Sequence, residues 1–66
     1  MKVKVNGKEM NIKENTTVEE LLNELKILDK TMAAAVNMSI VKKEKWNSFI
    51  LKENDKVEFL NFVGGG

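Results

Sequence analysis

The 66-residue sequence contains no cysteine and no histidine. The first absence excludes disulfide staples, a thiol nucleophile and any thiolate metal site. The second removes the commonest general base and the commonest metal ligand. Serine occurs only at Ser39 and Ser48, with no histidine to activate either one. The ten carboxylate side chains are not spaced as a metal loop or an acid–base pair, so neither a metal nor a bound cofactor is expected. No apolar run approaches the roughly 20 residues of a membrane span. Met1 opens the first strand pattern directly, so no targeting segment is expected. Eleven basic residues against ten acidic ones give a net charge of +1, well short of the excess a dedicated nucleic-acid binder carries. A chain this short buries only about 60% of the surface its unfolded form exposes, too little for a core and a deep substrate cavity together. These exclusions point away from an enzyme. They point toward a soluble, cytoplasmic protein with no nucleic-acid and no membrane partner.

What is present reads as a small α+β domain. Met1 to Val5 alternates apolar and charged residues, the period of a half-buried strand. Asn6-Gly7 follows, the pair best suited to the positive φ angles of a type I′ hairpin turn. Alternation resumes through Lys13, so Met1, Val3, Val5, Met10 and Ile12 are expected to face inward from a hairpin. A helix should start at Asn15 to Glu20, where Thr16 with Glu19, or Thr17 with Glu20, can form a capping box. Val18, Leu21, Leu22, Leu25 and Leu28 make one apolar stripe, and the helix is expected to end near Leu28-Asp29-Lys30.

Met32 to Met38 reads as a third strand, with Ile40-Val41 as a short apolar continuation. Lys43 to Ser48 reads as a turn or short 3₁₀ segment carrying Trp46, and Phe49-Ile50-Leu51 as a short edge strand. A polar turn leads to a last strand from Lys56 to Val63. One aromatic among Lys42, Lys43 and Lys45 is too little for a single-strand stacking platform. Trp46 is therefore expected to cap one end of the core. The four methionines read as core filler or loop residues rather than as a ligand set.

The order β-β-α-β-(β)-β is the β-grasp, or ubiquitin-like, arrangement. It predicts a mixed sheet of four to five strands with one main helix packed across it, and with the first and last strands parallel at its centre. The domain is expected over residues 1–63, with 64–66 as a flexible Gly-Gly-Gly tail. Three glycines add no packing and cost backbone entropy on ordering. Taken alone such a run is equally read as a frayed end. After a β-grasp pattern it reads as a thread without side chains, about 13–14 Å long from Val63 to Gly66. Such a thread fits a narrow channel in another protein and presents the Gly66 carboxylate there.

Four stretches carry a resemblance: Val3-Lys4-Val5-Asn6-Gly7-Lys8; Thr17-Val18-Glu19-Glu20-Leu21-Leu22; Ala35-Val36-Asn37-Met38-Ser39-Ile40-Val41 leading to Glu44-Lys45-Trp46; and the turn around Asp55 before the last strand and Gly65-Gly66. From end to end the chain resembles the ThiS-type ubiquitin-like sulfur carriers of thiamine (thiazole) biosynthesis. Lys42, where proline is frequent, and Gly64, where a small or polar residue is more usual, depart from the pattern without touching the terminal pair. The resemblance implies adenylation of Gly66 by a ThiF-type enzyme that uses ATP. It implies sulfur supplied through a cysteine desulfurase, a Gly66 thiocarboxylate, and sulfur delivery to thiazole synthase (ThiG). The catalytic groups would belong to those partners, and the chain itself would be a co-substrate.

Alternation in the last strand turns Val57 and Phe59 inward and Glu58, Leu60 and Phe62 outward. The outward set is expected to bind partners beside the tail. Val63, Gly64 and Gly65 would thread the channel. The alternatives are the small subunit of molybdopterin synthase, with the same tail chemistry on usually longer chains, and a protein modifier joined to lysines.

Overall fold

A computed structural model describes residues 1–61. Strand β1 (Lys2–Val5) turns at Asn6-Gly7 into β2 (Lys8–Asn11). Both turn residues have positive φ, 48° and 87°, as a type I′ turn requires. The alternation holds: Val3, Val5 and Ile12 are buried, and Met1 and Met10 pack against them at the margin.

Helix α1 covers Val18–Glu24. Of the two candidate caps the structure uses Thr17. Its hydroxyl accepts from the Glu20 N–H at 3.1 Å, and Glu20 Oε1 accepts from the Thr17 N–H at 2.9 Å. The Thr16 hydroxyl turns away and donates to the Lys13 carbonyl. Val18, Leu21 and Leu22 are fully buried, while Leu25 and Leu28 pack only partly against the core.

The helix ends four residues earlier than the apolar stripe suggests. Lys26 adopts φ 62°, its N–H donates to the Asn23 carbonyl, and the Ile27 N–H donates to the Leu22 carbonyl. These two bonds form a Schellman motif with lysine where glycine is usual. Leu28–Lys30 is then a separate 3₁₀ turn. Leu28 continues the helical spacing only in sequence.

The second half of the sheet also corrects the sequence reading. Strand β3 spans Thr31–Val36, and Asn37-Met38 is a turn, with φ 52° and 72°. Ser39–Val41 returns antiparallel as β4, pairing Ile40 with Ala35 and Val41 with Ala34. Ile40-Val41 is therefore the edge strand and not a continuation of β3. Phe49-Ile50-Leu51 makes a single bridge, Ile50 to Thr17. The reason lies at the helix start. The Phe49 carbonyl accepts from the Val18 N–H and the Trp46 carbonyl from the Glu19 N–H. Residues 46–51 thus satisfy helix donors that have no partner inside the helix. Trp46 is buried, and its Nε1 donates to the Val41 carbonyl at 2.8 Å, so it does close one end of the core.

Strand β5 (Lys56–Asn61) completes the sheet, in the order β2-β1-β5-β3-β4. It runs parallel to β1 and antiparallel to β3, at the centre as the β-grasp order predicts. Among the described residues, no helix is long and apolar enough to cross a membrane.

Candidate functional site

The site builds outward from β5. Val57 and Phe59 are buried beneath the helix, which leaves Glu58 and Leu60 on the outer face of the sheet. Leu60 is 60% exposed. The β3 residues beside these two on the outer face are Ala33, opposite Leu60, and Ala35, opposite Glu58. Ala35 in turn faces Ile40 of β4, which is 71% exposed. The two alanines form a low floor between Leu60 and Ile40, and the four residues line one shallow apolar depression with Glu58 at its edge. Sequence reading found Leu60 and Glu58 but missed Ile40, Ala33 and Ala35. Ile40 reaches this face only because Asn37-Met38 folds β4 back beside β3.

Phe62, Val63, Gly64, Gly65 and Gly66 lie outside the described residues. The strand that leads to them is tied on both sides. The Phe59 N–H donates to Asn6 Oδ1 at 2.8 Å, just where β1 ends and its backbone can supply no further acceptor. On the other flank the Thr31 hydroxyl lies 2.8 Å from the Ile27 carbonyl and 3.2 Å from Asn61 Oδ1.

The polar turn before β5 is equally fixed. Asp55 is buried; its Oδ1 accepts from Asn37 Nδ2 at 2.9 Å and its Oδ2 from the Lys52 N–H at 2.8 Å. Asn37 Oδ1 accepts from the Lys56 N–H, and the Asn37 N–H donates to the Lys56 carbonyl. One asparagine therefore serves both the β3–β4 turn and the start of β5. Among the described residues no three acidic side chains gather into a metal-binding group. The arrangement presents exposed Leu60 and Ile40 on the outer face of the sheet, on and beside a strand that ends at Asn61, shortly before the glycine run.

Comparison with known proteins gives a consistent result. The sequence model of the ThiS family matches residues 3–66, and so takes in the glycine run. The sulfur carrier protein ThiS of Bacillus subtilis is 32% identical over 65 residues, covering 97% of this chain and 98% of that one. The crystal structure of a thiamine biosynthesis protein (ThiS) from Geobacter metallireducens superposes with a TM-score of 0.82 at 34% identity, each chain fully covered. A thiazole synthase of Paramagnetospirillum magneticum is 38% identical over 66 residues, which are all of this chain but 20% of that protein. The chain thus spans about a fifth of that relative.

Proposed function

The chain belongs to the ThiS family, and on that premise we propose that it is a sulfur carrier of thiamine biosynthesis whose working group is the Gly66 carboxylate. The observation that carries the proposal is the family match through Gly66, on a chain whose last described strand is central, tied on both flanks and carries the exposed Leu60 on its outer face.

A carboxylate is a poor electrophile until one oxygen is made into a leaving group. A ThiF-type enzyme supplies that by joining Gly66 to the AMP of ATP with loss of pyrophosphate. A persulfide, formed through a cysteine desulfurase, attacks the acyl carbon and AMP departs. Reduction of the resulting acyl persulfide by a second thiol leaves a thiocarboxylate on Gly66 and a disulfide on the donor side. Thiazole synthase takes the sulfur and the carboxylate is restored. A stretch similar to this whole chain forms part of a protein named thiazole synthase, which supports that enzyme as the acceptor. Leu60, Phe62 and Glu58 dock the partners, and Val63, Gly64 and Gly65 thread the tail into their active sites. ATP is bound by the activating enzyme, and the chain is a co-substrate acting in the cytoplasm.

The test is incubation with ATP, a ThiF-type enzyme and a persulfide donor, followed by a thiol-alkylating reagent. Exchange of oxygen for sulfur adds about 16 Da, nearly the same as sulfoxide formation at any methionine, so intact mass alone misleads. Alkylation separates the two, because the chain has no cysteine. The expected result is an ATP-dependent adduct that maps to Gly66. If no adduct forms with an enzyme active on another carrier, the proposal fails.

A further inference from the structure

A second depression on the outer face is not used by the tail chemistry. It is lined by Gly7 and Met38 of the two hairpin turns, by Lys4, Lys56 and Glu58, and by the backbone of Val57, whose side chain is buried on the other face. Its volume is about 350 Å³. Lys4 and Lys56 are direct partners in the parallel β1–β5 ladder, so their side chains leave the same face from neighbouring strands. Like charges set side by side in a sheet are destabilising. Glu9 faces Lys4 across the β1–β2 ladder, but its ion pair is with Lys2, at 3.9 Å, and among the described residues neither Lys4 nor Lys56 has one. Met38 is 89% exposed at φ 72°, a backbone region that turns ordinarily fill with glycine or asparagine. A large, adaptable apolar side chain is thus held in solvent on a backbone that disfavours it. Two unfavourable features meet in one depression. Both turn favourable against a surface that brings a carboxylate to the lysines and an apolar group to the methionine.

We propose that this depression is a second docking point for the enzyme that activates the tail, occupied by an acidic segment of that enzyme with an apolar side chain next to its carboxylate. The carboxylate lies between Lys4 and Lys56, and the apolar side chain packs on Met38. The inference rests on the carrier reading and extends it. Lys56 lies five residues before Asn61, about 16 Å along the strand from the root of the tail. A contact there strengthens the grip on the carrier without touching the reacting carboxylate, and remote binding of this kind holds the reacting end in place. Charges at such a rim also govern the speed of encounter and its sensitivity to salt.

The test is a titration of the ¹⁵N-labelled full chain with a ThiF-type adenylating enzyme, without ATP, in low and in high salt. The amides of Lys4, Gly7, Met38 and Lys56 are expected to change together with that of Leu60, and Kd is expected to rise about tenfold with salt. The double variant Lys4→Glu/Lys56→Glu should lose a similar factor in low salt and respond little to further salt. Both lysines are exposed, so an unchanged amide spectrum of the free variant will show that the fold is kept. Binding that perturbs only the surroundings of Leu60, or a Kd that charge reversal leaves within about twofold, would overturn the second docking point while leaving the carrier reading intact. Absence of any binding would sink both.

Discussion

Leu60 is where the proposed docking face can be tested with a number attached. Its side chain is 60% exposed in the isolated chain. Full burial of a leucine is worth about 1.5–3 kcal/mol, so covering the exposed share in a complex contributes about 1–2 kcal/mol. Leu60→Ala should then raise KM in the adenylation reaction by about 5- to 30-fold, at 1.4 kcal/mol per factor of ten. Leu60→Asp adds the cost of burying a carboxylate against an apolar surface, about 1–3 kcal/mol more, for a loss of about 30-fold or greater. The free protein should notice little. An exposed substitution usually stays within about 0.5 kcal/mol, and aspartate in a strand adds up to about 1 kcal/mol. The assay is pyrophosphate release as a function of carrier concentration, which separates KM from kcat, with thermal unfolding run alongside. A Leu60→Ala chain that folds normally and keeps its KM within about twofold of the parent would refute the assignment of this face.

Two further predictions concern stability. Lys26 sits at φ 62° in the residue position that closes the helix. Lys26→Gly should remove the left-handed penalty of about 1–2 kcal/mol and lose some of the gain to a freer unfolded chain. The net is up to about 1 kcal/mol of stability, or about 4–8 °C in Tm for a domain this small; a fall in Tm would contradict the account. Asp55→Ala removes the acceptor for Asn37 Nδ2 and the Lys52 N–H. Charge-assisted bonds of this kind carry about 1.5–3 kcal/mol, so a loss of about 2–3 kcal/mol in urea unfolding is expected, and a change below about 0.5 kcal/mol would refute it.

The legible parts of the fold were those where local chemistry and tertiary structure agree. Asn6-Gly7 announces its turn because glycine and asparagine tolerate positive φ. Thr16 and Thr17 ahead of Glu19 and Glu20 announce the helix start, though not which of the two threonines caps it. Strict alternation sets Val57 and Phe59 against Glu58 and Leu60. The illegible parts were those where packing overrides local preference. Met38 and Lys26 occupy left-handed backbone without the glycine that would flag it. The β3–β4 turn and the early helix end were both hidden for that reason. Phe49 and Trp46 lend carbonyls to the helix start, a role that leaves no periodic trace in sequence. Half of the outer apolar depression was lost with the hidden turn, since Ile40 joins Leu60 only across the hairpin. The tail residues were read from the glycine run itself and from the family resemblance.

Strand β5 is flanked by β1 on one side and by β3 on the other, with Asn6 and Thr31 fastening its far end. Consider a force applied along the axis of this strand. The hydrogen bonds of both ladders lie across that axis, so the load falls on them in shear. They must yield together, whereas bonds at a sheet edge peel open one at a time. The domain thus resists a pull along β5 better than one that peels a strand from the edge of the sheet.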